Sequence, residues 1–292
     1  MQSVQLIVTG SMERIALHKS LNNVFKDLEF WEPIFSECFT SNPITSSAPP
    51  PQEDLLRTVD KLVNALFANI ETGRHRDIPD MVILLDDLEL ANLNQPQVVI
   101  EYFLQAVRFK LRQIEQNSNR RTYEQFEKRL QENCSFHLFV PMTEAYFFGE
   151  GQTALDRAGA RINSTVSGQD IDVEDFLVTE HIHNGVDYLN ASKGSAFWAK
   201  NETDRAQHPK RYLDFLCSLE TELNEFRYKE TAGGVEALND LSWLIVLSES
   251  DRVKYLRSLF EDIADRFALP EPFPGDHAPL TRCTNRRILR NM

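Results

Sequence analysis

The segment from Met81 to Asp87 constrains the fold more than any other part of the sequence. It begins with five consecutive apolar residues, Met81-Val82-Ile83-Leu84-Leu85, and ends with the two acids Asp86 and Asp87. A short apolar run without polar alternation is typical of a strand that is buried on both faces. We therefore predict a parallel sheet with this segment in its interior and with acidic side chains at the carboxyl end of the strand.

Two further strands, and the helices between them, favour an α/β fold. Val4 to Val8 is an apolar run that leads through Gly10 to an amphipathic helix, for which Ser11 is a candidate N-cap. Ser135 to Val140 is a third predicted strand, and helical periodicity fills much of the chain between the strands. This alternation predicts a mainly parallel sheet flanked by helices, as in Rossmann-like folds.

The pattern divides the chain into three regions. Residues 1–150 carry the alternation of strands and helices, residues 151–207 are polar and are predicted to be a loop-rich insertion, and residues 208–292 are mostly helical. Apolar periodicity in the last region predicts helices that pack on the core. These helices are Lys210 to Leu223, Val235 to Leu247 and Glu249 to Phe267.

Composition limits the class of protein. Of the 292 residues 42% are hydrophobic, which suffices for a large core, while no apolar run approaches the roughly 20 residues of a membrane helix. The start of the chain lacks the features of a signal peptide, and the four cysteines are dispersed. We therefore predict a cytoplasmic protein without membrane contact. A net charge of -13 disfavours passive binding to nucleic acid but permits a local basic patch.

The acids after the buried strand are the strongest candidates for a chemical site. Asp86, Asp87 and Glu89 supply carboxylate oxygens, which Mg²⁺ prefers as ligands, and such a metal can stabilise charge on a phosphoryl group. Glu144 follows the third strand and is a further candidate ligand or base. The alternative is that Asp86, Asp87 and Glu89 only mark the end of a strand, and that Glu144 only stabilises the first turn of a helix through its favourable interaction with the helix dipole.

Two groups of residues are candidates for binding phosphate. Gly10 and Ser11 lie where the backbone N–H groups of a helix start can face an anion. His208, Lys210 and Arg211 place up to three cations near a second helix start, and the last segment of the chain contains several arginines and no acid. Each group can also be ordinary surface, because no glycine-rich nucleotide-binding motif is present.

Several of these motifs resemble TOPRIM domains. The start Leu6-Ile7-Val8-Thr9-Gly10-Ser11-Met12-Glu13, followed by an amphipathic helix, is similar to the start of TOPRIM-like domains, and Asp86-Asp87-Leu88-Glu89 is similar to their second, acidic motif. Further stretches resemble a family of little-characterised bacterial TOPRIM-related proteins that are often encoded beside an ATPase. These stretches are Val140–Phe148, His208–Leu213, Tyr228–Thr231 and Tyr255–Phe260, so the resemblance covers most of the chain.

The resemblance implies a nuclease-like centre that depends on Mg²⁺ or Mn²⁺ and acts on nucleic acid. It also implies a role in phage or genome defence with an ATPase partner, and leaves an oligomer open. TOPRIM domains place a glutamate directly before the glycine of the first turn, where this chain has Thr9. Glu13, one helical turn further on, is not expected to reach the same point. A second hypothesis is therefore a catalytically degenerate TOPRIM-like subunit that binds a partner.

Overall fold

The apolar runs form a central sheet in which every strand pairing is parallel. The computed structural model describes residues 1–45, 57–71, 77–160, 172–179, 182–183, 186–190, 202–217, 228–249, 253–270 and 287–292. The sheet contains β1 (Gln2–Val8), β2 (Leu28–Phe30), β3 (Ile34–Phe35), β4 (Met81–Asp87) and β5 (Cys134–Phe139). The spatial order is β2-β1-β4-β5, and β3 also pairs with β1. The predicted mainly parallel sheet is therefore confirmed.

Helices make up most of the remaining described chain. They are α1 (Ser11–Val24), α2 (Arg57–Ile70), α3 (Pro96–Asn117), α4 (Arg120–Asn133), α5 (Ala145–Glu150), α6 (Gln152–Ala158), α7 (Glu202–Ala206), α8 (Pro209–Cys217), α9 (Val235–Asn239), α10 (Trp243–Glu249) and α11 (Lys254–Phe267). In the described ranges, no helix has the length and apolar character that crossing a membrane requires.

Different parts of the chain cover the two faces of the sheet. Along β4, Val82 and Leu84 join the core formed with α2, α3 and α4, whereas Ile83 and Leu85 join the core formed with α1 and the C-terminal helices. All four side chains are at most 2% exposed. Burying each such side chain contributes about 1.5–3 kcal/mol. Burial on both faces explains why this segment is apolar without alternation.

The helical C-terminal part is confirmed, but its helices are more divided than the sequence predicted. The predicted helix from Val235 to Leu247 is split into α9 and α10, and a π-helical turn, Glu230–Gly234, precedes it. This turn lies against the end of α6, where a Cβ atom on Gly233 would approach the carbonyl oxygen of Ala158 to 2.3 Å. A glycine permits this contact. The other two predicted helices differ at their bounds, and Leu223 lies outside the described residues.

The predicted loop-rich insertion, residues 151–207, contains α6, α7 and a short antiparallel pair, β6 (Ile182–His183) with β7 (Val186–Asp187). Its buried apolar residues, including Val173 and Tyr188, belong to the same core as the C-terminal helices. The Glu174 carboxylate accepts hydrogen bonds from the backbone N–H groups of Tyr255 at 3.0 Å and Leu256 at 2.9 Å. Glu174 thereby satisfies the first turn of α11, whose N–H groups have no partner within the helix.

The segment 287–292 lies along β5, at the edge of the sheet. The N–H of Arg290 donates to the carbonyl of Cys134 at 2.7 Å, and the side chain of Asn291 exchanges two hydrogen bonds with the backbone of Phe136. Leu289 is fully buried in the core beneath. This segment therefore pairs backbone groups that the edge strand would otherwise expose.

Candidate active site

Three parallel strands end beside one cavity at the carboxyl edge of the sheet. The pairing of Val8 with Leu85 and of Asp87 with Phe139 brings the ends of β1, β4 and β5 together, and open α/β sheets bind their ligands at this edge. The cavity has a volume of about 350 Å³. Four acids from three separate segments line it: Glu13 from α1, Asp87 and Glu89 from the end of β4, and Glu144 from the turn after β5. A fifth, Glu230, also lines it and forms an ion pair with Lys210.

Asp86 and Asp87 point to opposite faces of β4, although the sequence predicted that they act together. Successive side chains of a strand alternate between the faces of a sheet. Asp86 is 1% exposed and accepts hydrogen bonds from the hydroxyl of Thr9 and, at 3.4 Å each, from Phe39 N and Thr40 Oγ1. It does not contribute to the lining of the cavity. We therefore leave Asp86 out of the proposed metal ligands and catalytic groups.

Asp87 faces the cavity, and Thr143 fixes its orientation. The backbone N–H and the hydroxyl of Thr143 donate to Asp87 Oδ1 at 3.1 Å and 3.2 Å. In the described part of the chain, no donor reaches Asp87 Oδ2. One carboxylate oxygen is thus occupied by the protein, and the other is available to a ligand in the cavity.

Glu13 was not among the site residues predicted from the sequence, but it lines the cavity. It lies in the first turn of α1 and is 5% exposed. Its carboxylate folds back over Gly10, so that a Cβ atom on Gly10 would lie 1.7 Å from Glu13 Oε2. The expectation was that Glu13 would not reach the point at which TOPRIM domains carry their glutamate, and its carboxylate lies over Gly10, the residue that follows that point. No local pattern in the sequence specifies this fold-back, because it depends on the rotamer that the Glu13 side chain adopts over a glycine that leaves the space open.

Glu89 and Glu144 complete the row of acids. Glu89 has φ 61° and ψ 152°, a backbone conformation that costs energy for residues other than glycine and is found preferentially at functional sites. Its N–H donates to the carbonyl of Pro141 at 2.9 Å. Glu144 is 4% exposed and accepts a hydrogen bond of 3.3 Å from the hydroxyl of Tyr228.

Burial and mutual repulsion raise the pKa values of these acids. Burial raises the pKa of Glu13 to about 7, and the charge of Glu144 adds to the effect. Burial raises the pKa of Glu89 to about 7 as well, again with a contribution from Glu144. The pKa of Asp87 lies well above its ordinary value because of burial and then the charges of Glu13, Glu89 and Glu144. A cation in the cavity would relieve both causes.

The acids lie close together without forming a ready-made cage for a metal. Within the ranges that the structure describes, no group of three or more His, Cys, Asp or Glu side chains has an arrangement that would hold a metal ion. Mg²⁺ dehydrates reluctantly and commonly binds through one or two carboxylates while it keeps several waters. The cavity therefore fits a hydrated cation at one or two acids better than a bare ion held by four.

The three cations predicted to bind phosphate have different surroundings. Lys210 lines the cavity and forms an ion pair with Glu230. His208 also lines it, but burial lowers the pKa of His208 to about 3, so its imidazole is neutral at pH 7. Arg211 does not line the cavity, is 4% exposed and pairs with Asp214 at 2.8 Å. Of these three, Lys210 combines positive charge with access to the cavity.

Gly10 and Ser11 line the cavity at the start of α1, where the sequence placed them. Gly10 is the N-cap residue, rather than Ser11, and α1 has no side-chain cap. The C-terminal arginines do not join the site in the described residues: Arg290 forms ion pairs beside β5, and Arg282 and Arg286 lie outside the described ranges.

Comparison of the chain with protein-family models, with curated proteins and with solved structures gave no match. The chemistry of the site itself is therefore the basis for inferring a function.

Proposed function

We propose that the protein binds Mg²⁺ or Mn²⁺ in the cavity at the carboxyl edge of the sheet and catalyses phosphoryl transfer on nucleic acid as a TOPRIM-like, nuclease-like enzyme. The observation that carries the proposal is the convergence of Glu13, Asp87, Glu89 and Glu144 on one cavity. Keeping like charges together in a buried place costs stability. A function that needs a cation there gives this arrangement a reason.

The surroundings of each acid support a distinct role. Asp87, oriented by Thr143, and Glu89 are the proposed metal ligands. A bound Mg²⁺ would stabilise charge on the phosphoryl group and lower the pKa of a bound water.

Glu13 is the proposed general acid or base. Its pKa of about 7 allows it to accept or release a proton near neutral pH. Its carboxylate lies over Gly10, next to the position where TOPRIM domains carry their glutamate and this chain carries Thr9. Lys210 supplies positive charge for a phosphate at the same cavity. Glu13 thus offers the proton-transfer group that Thr9 cannot.

Metal binding is the first test. Calorimetric titration of the protein with Mg²⁺ and with Mn²⁺ at pH 8 should give a Kd below about 1 mM, a free energy more negative than about -4 kcal/mol. Asp87→Asn should abolish the heat of binding, because it removes a charged ligand and keeps the shape. Glu236→Gln, which changes an exposed acid on α9, is the matched control and should bind as the wild type does. Equal binding by all three proteins would reject the site.

Activity is the second test. With Mn²⁺ or Mg²⁺ the wild type should cleave single-stranded or nicked nucleic acid, and Asp87→Asn should not. Glu13→Gln should bind metal but lose at least about 10²-fold in rate, which is the contribution typical of general acid–base catalysis. Cleavage that persists in both variants would show that a contaminating nuclease or another site is responsible.

A catalytically degenerate subunit is the second candidate function. Two observations favour it: Asp86 faces away from the cavity, and no three-ligand metal group is formed in the described residues. In that case the protein binds metal weakly or not at all and cleaves nothing, yet co-purifies with a partner. A protein that cleaves nucleic acid by itself would exclude this candidate.

The resemblance to TOPRIM-related proteins encoded beside an ATPase suggests where such a partner should be sought. We propose an ATPase partner and a role in phage or genome defence on that ground. Co-expression with the neighbouring gene product, followed by affinity purification and size-exclusion chromatography, tests the complex. Plaque counts on cells with the intact pair or with Asp87→Asn test the role.

A further inference from the structure

We propose that a groove along the exposed face of α1 binds a single-stranded nucleic acid and leads it into the acidic cavity. The groove has a volume of about 720 Å³. Ser11 lines both the groove and the cavity, and the consecutive residues Thr231 and Glu230 line one each. The two spaces are therefore neighbours along one path. The inference deepens the proposed function and rests on it for the place to which the strand runs.

The groove presents positive charge on a chain whose net charge is -13. Arg14 and Lys19 are exposed, and neither forms an ion pair with any residue that the structure describes. His18 lies between them, and its buried Nδ1 has no hydrogen-bond partner in the same ranges. Cations that the protein leaves unpaired beside a row of acids are suited to an anionic ligand.

The cations follow one face of the helix. Ser11, Arg14, Ile15, His18 and Lys19 recur at intervals of three and four residues, which places their side chains in one row. From Ser11 to Lys19 the row is about 12 Å long, at a rise of about 1.5 Å per residue. A stacked strand advances about 3.4 Å along its axis for each nucleotide, so the row spans about three or four stacked nucleotides.

Apolar surface in the same groove favours unpaired bases as the ligand. Phe35, from β3, is 45% exposed, and Ile15 is 40% exposed. Proteins that bind single-stranded nucleic acid combine a basic groove with aromatic side chains on which the bases stack. This stacking requires bases that are not paired in a duplex. Glu32 also lines the groove, and its negative charge should weaken the binding of a phosphate backbone.

Binding is tested without metal, so that the groove is measured apart from the cavity. A fluorescently labelled 12-nucleotide oligothymidine or oligouridine is titrated with the full chain in EDTA, and anisotropy is recorded at several salt concentrations. For single strands the slope of log K against log salt is about -0.7 per phosphate neutralised. The double variant Arg14→Ala/Lys19→Ala should therefore lower the slope by about 1.4 and weaken binding at least tenfold. Lys26→Ala, an exposed lysine outside the groove, should change neither.

Two single substitutions should act in opposite directions. Phe35→Ala should weaken binding about fivefold or more, because stacking on an aromatic side chain is lost, and should leave the salt slope unchanged. Glu32→Gln should tighten binding, since it removes a negative charge from the groove. A blunt hairpin duplex of the same length should bind more weakly than the single strand.

The proposal is overturned if the oligonucleotides do not bind, or if they bind equally to the wild type and the Arg14/Lys19 double variant. Stronger binding to the duplex would overturn the single-strand assignment, and loss of an ATPase partner in the double variant without loss of oligonucleotide would make the groove a protein interface. Failure of the proposed function looks different. Asp87→Asn should still bind the oligonucleotide in EDTA. If the wild type binds no metal, the proposed metal site in the cavity is rejected, whereas the proposed oligonucleotide site in the groove is not affected.

Discussion

Buried carboxylates occur in two regions of this protein, and their pKa values are shifted in opposite directions in the two regions. Beside β5, Asp262 accepts hydrogen bonds from Arg290 Nε at 2.9 Å and contacts His137 Nε2 at 3.2 Å. Burial acts to raise the pKa of Asp262, but the contacts with His137 and Arg290 outweigh it and hold that pKa below its ordinary value. At the carboxyl edge of the sheet, the pKa values of Glu13, Asp87 and Glu89 are raised instead.

The difference separates a buried acid whose charge is compensated within the protein from acids whose charges are not. Asp262 has a cation within the protein, Arg290, so its charge helps to hold the segment 287–292 on the edge of the sheet. The acids of the cavity repel one another, and the nearest cation, Lys210, is shared with Glu230. Perturbed pKa values occur at both kinds of place, but an uncompensated group identifies a site that gains from a ligand.

Breaking the compensated region should have the largest effect. Arg290→Ala leaves Asp262, whose side chain is 9% exposed, without its guanidinium. Removing one partner of a buried pair strands the other charge, and we expect unfolding in urea at pH 7 to become easier by about 3 kcal/mol. Arg120→Ala, which breaks a pair between two exposed side chains, is the control and should cost less than about 1 kcal/mol. Equal losses in both variants would show that Asp262 is not compensated as described.

Removing a charge from the acidic cavity should instead increase the free energy of unfolding. Glu13 has a pKa of about 7 when folded, against an ordinary value of 4.5. A raised pKa favours the folded state while the group is protonated, so this contribution is full below pH 4.5 and is lost as the pH rises through 7. Glu89 follows the same direction. Glu13→Gln should therefore stabilise the protein by about 3 kcal/mol at pH 8 and leave it nearly unchanged at pH 4.

Urea denaturation at the two pH values checks this prediction. Glu124→Gln, which changes an exposed acid on α4, provides a control that should show little dependence on pH. A Glu13→Gln protein that is less stable than the wild type at both pH values would mean that the carboxylate has a structural role and that its charge is not a cost.

The sequence predicted the parallel sheet because burial on both faces leaves a visible apolar run, Met81 to Leu85. It placed Asp87, Glu89 and Glu144 at one edge of the sheet because the end of each apolar run marks the carboxyl end of a strand. It grouped Asp86 with Asp87 because both acids end the run, although the period of two along a strand sends them to opposite faces. Glu13 was missed because its position depends on a side-chain rotamer over Gly10, which no spacing rule specifies. The capping of α11 by Glu174 joins residues about 80 positions apart and leaves no local pattern.

A cation should convert the uncompensated region into a compensated one. If Mg²⁺ binds with a Kd of about 1 mM, 10 mM Mg²⁺ should stabilise the folded protein at pH 8 by about 1.4 kcal/mol. The gain should shrink at pH 5, because protons then replace the metal on acids whose pKa values are raised. Thermal unfolding with and without Mg²⁺ measures the effect. A buffer without divalent cations, matched in ionic strength, separates metal binding from charge screening by salt. Stabilisation of Asp87→Asn to the same extent would place the ion elsewhere.

The smallest effect should come from Thr9, which follows β1. The Thr9 hydroxyl donates a hydrogen bond to Asp86. Burial raises the pKa of Asp86 to about 6, although this hydrogen bond acts to lower it. Thr9→Val removes the donor at nearly constant volume and should cost about 1 kcal/mol of stability, whereas Thr9→Ser should keep most of it. Metal titration should be unchanged in both variants, because Asp86 stands outside the lining of the cavity. If Thr9→Val instead lost metal binding while Thr9→Ser kept it, Asp86 would belong to the metal site. The division of β4 into one structural and one functional acid would then be wrong.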